Sequence, residues 1–276
     1  MLVALLPSMA HAQATDKALQ RIRDTKTVTV AYRTDATPFA YDDGGKPAGY
    51  SVELCKRVVA SMEQQLKVQP LAVKWVPANV QNRLDLVKKG EVDMECGTTT
   101  ATLSRMEQVD FSNPIWVDVT AVIVKKAVGA KALGGLTGKS IAVVAGTPNQ
   151  KALEDALKKG LVNAKVVPAK TYDEAIGLLE GGKAEALAAG RTMLLGLGSK
   201  LKDASEYDLL NDDIGYVPYA ITLPLGASGL RLAVNRALSQ IYDSDALAEI
   251  FRGTFGTGAK PGGALLVMYR LNIYPE

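Results

Sequence analysis

LDLVKKGEVD at residues 84–93 and IGLLEGGKAE at residues 176–185 follow one plan. Each is an apolar helical face, a glycine stop, and then a strand opening with an acidic residue. Around the first, TVTVAY (27–32) alternates as a half-buried strand and residues 71–76 read as another. Between them Val52, Cys55, Val58, Val59, Met62 and Leu66 fall at helical spacing within 50–66, and 81–89 is a short helix stopped by Gly90. Residues 92–96 form a strand, and VTAVIVK (119–125) is a strand that leaves this region. Around the second copy, SIAVVA (140–145), 164–167 and 184–188 are strands, while 149–159 and 172–179 are helices. Strands alternating with helices specify parallel sheet, and the repeated plan specifies two similar α/β lobes. YAITLPL (219–225) is then a strand, 229–242 and 246–251 are helices, and the glycine-rich tail from Gly253 reads as loop-rich.

Two such lobes joined by extended segments enclose a cleft, and ligands of open α/β sheets sit beyond the carboxyl ends of the strands. Gly97-Thr98-Thr99-Thr100 and Gly146-Thr147 occupy such ends. Their amides and hydroxyls suit an anion without any cofactor.

Composition narrows the classes. A formal net charge of +3 spread over interspersed acids and bases is an ordinary solvated surface, not a nucleic-acid footprint. MLVALL (1–6) followed by Ala10-His11-Ala12 reads as the apolar core and A-x-A site of a signal peptide, cut after Ala12, although no basic segment precedes it. No other stretch reaches the ~20 apolar residues of a membrane-spanning helix. His11, the only histidine, would leave with that leader, so neither a zinc site nor histidine-based catalysis is expected. Cys55 and Cys96 can pair in an oxidising compartment, but sequence alone does not decide whether they do.

Three further segments carry a resemblance: VAYRTDATPFAYDDGGKPAGY (30–50), ECGTTTATLSRMEQVDFS (95–112) and LTGKSIAVVAGT (136–147). They are similar to the periplasmic polar-amino-acid-binding proteins of ABC importers, and most to the glutamate/aspartate-binding branch. The resemblance implies a two-lobed type II periplasmic-binding-protein fold with mixed, mostly parallel sheets and a two-strand hinge. Lobe 1 is then residues 13–122 plus 223–276, and lobe 2 is 123–222. It implies further that Arg105 forks onto the ligand α-carboxylate, as a planar guanidinium does. Thr98 and Thr100 match the hydroxyl and amide contacts to the same group, and Thr147 the lobe 2 contribution. Arg33 and Arg83 match the pair that reads a side-chain carboxylate. Tyr41 resembles the aromatic wall, and Tyr172 a polar neighbour of the ligand.

One position departs. Where the family has an acid after the lobe 2 strand to hold the ligand ammonium, this chain has Gly190, followed by Arg191. A buried ammonium without an anionic partner costs several kcal/mol. Either the ligand lacks an ammonium, as a dicarboxylate or keto acid does, or Asp173, Asp35 or Glu174 takes the acid's place. The resemblance implies a monomer that binds a small anionic solute, closes about its hinge and docks on an inner-membrane permease. It implies no cofactor, no metal and no chemistry. A same-fold enzyme of the dehydratase kind and a sensory binding protein are the rivals, the first requiring a positioned acid or base in the cleft.

Overall fold

The computed structural model describes residues 16–275. The expected leader at 1–12, with His11, lies outside the described residues. Helix α1 (Lys17–Thr25) starts at Asp16, whose Oδ1 accepts from the Leu19 amide at 3.0 Å. The second oxygen of Asp16 accepts from Leu230 N at 2.8 Å, tying this first helix to a much later one. Strand β1 (Thr27–Arg33) is buried from Val28 onward. A small separate sheet follows, β2 (Asp35–Ala36), β3 (Ala40–Asp43) and β4 (Lys46–Ala48), turning at Gly44-Gly45. Then come α2 (Tyr50–Leu66), β5 (Ala72–Ala78), α3 (Arg83–Lys88), β6 (Met94–Cys96), α4 (Leu103–Met106) and the long β7 (Val109–Lys125).

The second half repeats the alternation. It runs β8 (Ser140–Val144), α5 (Pro148–Lys159), β9 (Lys165–Ala169), α6 (Tyr172–Glu180), β10 (Ala186–Gly190) and α7 (Arg191–Leu197). The chain returns through β11 (Tyr207–Leu209) and β12 (Gly215–Pro224), and closes with α8 (Ser228–Tyr242), α9 (Asp245–Phe255) and α10 (Gly263–Leu271).

The main sheet has the order β5-β1-β6-β12-β7-β10-β8-β9, with β11 added on β7. The outer triplets β5-β1-β6 and β10-β8-β9 are internally parallel, whereas β12 and β7 are antiparallel to each other and to their flanking strands. The two copies of the sequence plan become α3-β6 and α6-β10, on either side of this central pair. β7 pairs with β12 up to Thr120 and with β10 from Thr120 to Val124, so one strand serves both halves. That strand begins ten residues earlier than its apolar run suggested, because Asp110, Ser112, Asn113 and Pro114 interrupt the alternation there. The β12–β7 ladder absorbs the proline with register shifts next to Ala220.

Cys55 of α2 and Cys96 at the end of β6 are joined by a disulfide, with their Cα atoms 6.4 Å apart. This resolves the pairing that sequence left open, and it fixes the strand end that leads into Gly97–Thr100. The core beneath is aromatic: Trp116 stacks on Phe251 at 5.6 Å, and Phe39 meets Trp116 and Tyr219 edge-on at 5.0 and 5.3 Å. The tail is loop at 256–262, in keeping with its glycines, but ends in a helix that they did not signal. α10 buries Leu265, Met268 and Tyr269 at helical spacing, and the Tyr50 and Tyr269 hydroxyls, 2.7 Å apart, both reach the Ile115 carbonyl. Packing against β7 and α8 overrides the weak local signal.

Candidate functional site

Three arginines converge on the strand ends. Arg33, the last residue of β1, is 2 % exposed. Its Nε and Nη2 both donate to Asp35 Oδ1, at 2.9 and 2.6 Å, and its guanidinium lies 5.8 Å from the centre of the Tyr172 ring. Asp35 Oδ2 is buried without a partner. Arg83 opens α3 and is equally buried; its Nε donates to Thr99 Oγ1 at 2.7 Å and its Nη1 to the Val80 carbonyl at 2.5 Å. Burial, reinforced by the positive charges of Arg33 and Arg105, pulls the Arg83 guanidinium down to about 9, against the pull of Glu95. Burial likewise lowers Arg105, again opposed by Glu95.

Thr98, Thr99 and Thr100 are buried just beyond β6, and Thr100 forms a β-bridge with Tyr219. Gly97 is required by space. A Cβ there would run into Glu95 Oε1 and lie 2.7 Å from Arg33 Cγ. Arg105, on α4, donates from Nη1 to the Thr100 carbonyl at 2.9 Å and from Nη2 to the Gly146 carbonyl at 3.3 Å. It therefore touches the loops that follow β6 and β8, one in each half. Thr147 caps α5: its hydroxyl accepts from Gln150 N and donates to the Val144 carbonyl at 2.7 Å. Tyr172 is the first residue of α6 and is 3 % exposed against the arginines.

The carboxylates alter the charge balance that three arginines alone implied. Asp35, Glu95 and Asp118 are all buried in the same region. Glu95 uses Oε2 to accept from Thr222 Oγ1 at 2.9 Å, and its Oε1 is buried without a partner. Asp118, in the middle of β7, accepts from the backbone of Val119 and Thr192, from the Thr192 hydroxyl, and from Tyr219 Oη at 3.3 Å. Burial raises its carboxyl above the ordinary value, and these four neutral donors offset part of that rise. A Cβ built on Gly190 would sit 2.5 Å from Asp118 Oδ2 and 2.5 Å from Tyr219 Oη. The space above Gly190 is already filled by a carboxylate from the neighbouring strand.

Residues 28–257 match the bacterial extracellular solute-binding proteins, family 3. The chain belongs to that family. An L-glutamate/L-aspartate-binding protein of Pseudomonas aeruginosa is 29 % identical over 262 residues, covering 94 % of this chain and 87 % of the relative. An ancestral arginine-binding protein bound to glutamine superposes with a TM-score of 0.73 at 24 % identity, over 84 % of this chain and 98 % of that one. An ancestral amino-acid-binding protein, a precursor of cyclohexadienyl dehydratase, does so with 0.72 at 23 % identity, over 86 % and 99 %. These likenesses fix the fold as the two-lobed type II arrangement.

Among the residues the sequence singled out, this family 3 protein brings together Arg33, Arg83, Thr98, Thr100, Arg105, Thr147, Tyr172 and Gly190 around the junction of β1, β6, β7 and β10. Tyr41 is placed elsewhere: it lines a groove with Glu53, Arg57 and Glu249, against α2 and α9. The aromatic residue of that segment that reaches Tyr219 is Phe39. Two of the acids considered as replacements for Gly190 are engaged outside the cluster. Asp173 pairs with Lys200 at 2.6 Å and Glu174 accepts from Lys170 N at 2.7 Å. Sequence reasoning missed Asp118, Glu95 and Tyr219. The legible signal for Asp118 was an acid set in the apolar run IWVDVTAVIV, and for Glu95 an acid between Met94 and Cys96 at a buried strand end.

Proposed function

We propose that this chain is an exported solute-binding protein that captures a small α-amino acid between its lobes and delivers it to the permease of an ABC importer. The observation that carries the reading is the convergence of Arg33, Arg83, Arg105 and the Thr98–Thr100 hydroxyls and amides on one buried junction. A guanidinium fork with adjacent hydroxyls and amides is a carboxylate grip. Asp35, Glu95 and Asp118 balance the three arginines, which favours a zwitterion over a dianion lacking an ammonium. The glutamate/aspartate specificity of the P. aeruginosa relative supports an amino acid as well.

Arg105 and the threonines hold the α-carboxylate from lobe 1 (13–122 plus 223–276). Thr147 and Tyr172 close over it from lobe 2 (123–222), with β7 and β12 as the hinge. Differential affinity for the closed form drives the movement, and the closed monomer is what the permease reads in the periplasm. The test is a thermal-shift screen of ligand-stripped protein against the twenty amino acids, their 2-oxo counterparts and simple dicarboxylates. A solute at ~100 times its dissociation constant adds about 2.7 kcal/mol. Stabilisation by one or a few amino acids is the expected result, and no shift with any carboxylate overturns the reading.

A same-fold enzyme is the second reading, favoured by one observation: Asp118 is a carboxyl buried beside the arginine cluster, and burial raises it above the ordinary value, the direction a general acid needs. Conversion of the stabilising solute, followed by NMR, separates the two.

A further inference from the structure

We infer that Asp118 is the residue that recognises the ammonium group of the solute, entering from β7 into the space that Gly190 leaves open at the end of β10. The inference rests on the amino-acid reading above and deepens it.

The geometry is a displaced side chain. Gly190 faces Thr120 across the β10–β7 ladder, and Asp118 lies two residues along β7 from that partner. One of its carboxylate oxygens lies 2.5 Å from where the first atom of any side chain at 190 would begin, too close for both to stay in place. An acid at 190 and Asp118 in its present position therefore do not fit together: to admit the first, the ends of the Asp118 and Tyr219 side chains must shift. Asp118 Oδ2 contacts the Tyr219 hydroxyl, Tyr219 is bridged to Thr100, and the Thr100 carbonyl holds Arg105. The carboxylate of Asp118 is thus one residue removed from the proposed α-carboxylate grip. The ammonium and carboxylate of an amino acid sit on one carbon, so their receptors must be neighbours.

The partners of the surrounding acids point the same way. Asp35 is taken by Arg33, Asp173 by Lys200, and Glu174 by the Lys170 amide. Glu95 lies beneath Gly97 and accepts from Thr222; its other oxygen has no hydrogen-bond partner, but the carboxylate already sits in the field of Arg83 and Arg105. Asp118 forms no ion pair among the described residues; only neutral amides and hydroxyls meet it. A buried carboxylate with neutral partners is the one that gains most from an arriving cation. Asp118 also holds the start of α7 through the Thr192 amide, so a purely structural role is the competing explanation.

Asp118→Asn separates the two, since Asn keeps the shape and an acceptor oxygen for Thr192 but not the charge. Calorimetric titration would use pairs that differ only in the ammonium: L-glutamate with 2-oxoglutarate, then the most stabilising amino acid of the screen with its 2-oxo acid. Asp118→Asn should weaken the amino acid by about 30-fold or more, the loss expected when a buried charge pair is broken, and leave the 2-oxo acid as tight or tighter. Gly190→Asp should weaken amino-acid binding, because it displaces the Asp118 carboxylate and the Tyr219 hydroxyl from their present positions. The double variant Asp118→Ala with Gly190→Asp should regain it, moving the acid back to β10. Equal weakening of both members of a pair by Asp118→Asn, or no weakening of the amino acid, overturns the inference while leaving the binding function standing. A wild-type protein that binds only the 2-oxo acids overturns the amino-acid reading and the inference with it.

Discussion

Arg105 Nη2 donates to the Gly146 carbonyl at 3.3 Å while Nη1 of the same side chain holds the Thr100 carbonyl at 2.9 Å. One guanidinium thus bridges the loop after β6 and the loop after β8, which belong to opposite halves of the sheet. Gln81 makes a second such bridge, its Nε2 donating to the Lys170 carbonyl at 2.6 Å.

Gln81 is exposed, and its side chain makes no hydrogen bond to Arg33, Arg83 or Arg105, so it reports mainly on closure. Gln81→Ala should weaken solute binding roughly fivefold, the value of a single net hydrogen bond of ~1 kcal/mol withdrawn from the closed form. Calorimetry checks this, and an unchanged affinity would mean that the contact does not hold the lobes shut.

Asp35 tempers Arg33 by taking its Nε and Nη2 donors on one oxygen. Asp35→Ser should free that guanidinium for a distal carboxylate. The ratio of L-glutamate to L-glutamine affinity is then expected to rise by about tenfold, ~1.4 kcal/mol. A ratio that stays fixed in competition titrations would place the distal group of the solute away from Arg33.

Acid should weaken amino-acid binding sooner than an ordinary aspartate would. Burial raises the Asp118 carboxyl above 3.8, so it protonates at a higher pH on the way down and loses its attraction for an ammonium. The tyrosines that face it, Tyr172 and Tyr219, are held above 10 and do not titrate there. Stability of the free protein runs the other way. A carboxyl with a raised folded pKa contributes stability that is complete below its unfolded value and lost as pH rises through the folded one. The measurement is affinity against pH for wild type and Asp118→Asn, in which the variant's acid limb should be flat.

The Cys55–Cys96 disulfide closes a separation of 41 residues, which in the loop-entropy account contributes about 4 kcal/mol. Replacing both cysteines by serine should lower the melting temperature by roughly 10 °C. It should also weaken binding, because Cys96 leads directly into Gly97–Thr100. Calorimetric melting and solute titration of the same variant check both parts.

The α/β alternation and the repeated helix–glycine–strand plan were legible because the strands of the outer triplets are short apolar or alternating runs separated by turns or helices. The crossing strand β7 was legible only in its second half, since Asp110, Ser112, Asn113 and Pro114 break the period. α1, α7, α10 and the β2-β3-β4 sheet escaped for a different reason: each is short and stabilised by packing, as Tyr269 against Ile115 illustrates. In the site, arginines and threonines could be placed by the segments around them. Asp118 could not, because the signal that it replaces a side chain at 190 lies in the register between β7 and β10, a pairing of residues distant in the chain.

The central claim is that a carboxylate-bearing amino acid is held in this cleft through Arg105, and titration calorimetry of the most stabilising amino acid into wild type and Arg105→Ala tests it most directly. Wild type should bind one molecule per chain, and Arg105→Ala should bind it about 100-fold more weakly while melting close to wild type in the absence of solute. An Arg105→Ala protein that binds as tightly as wild type would contradict the account and move the solute out of the arginine cluster.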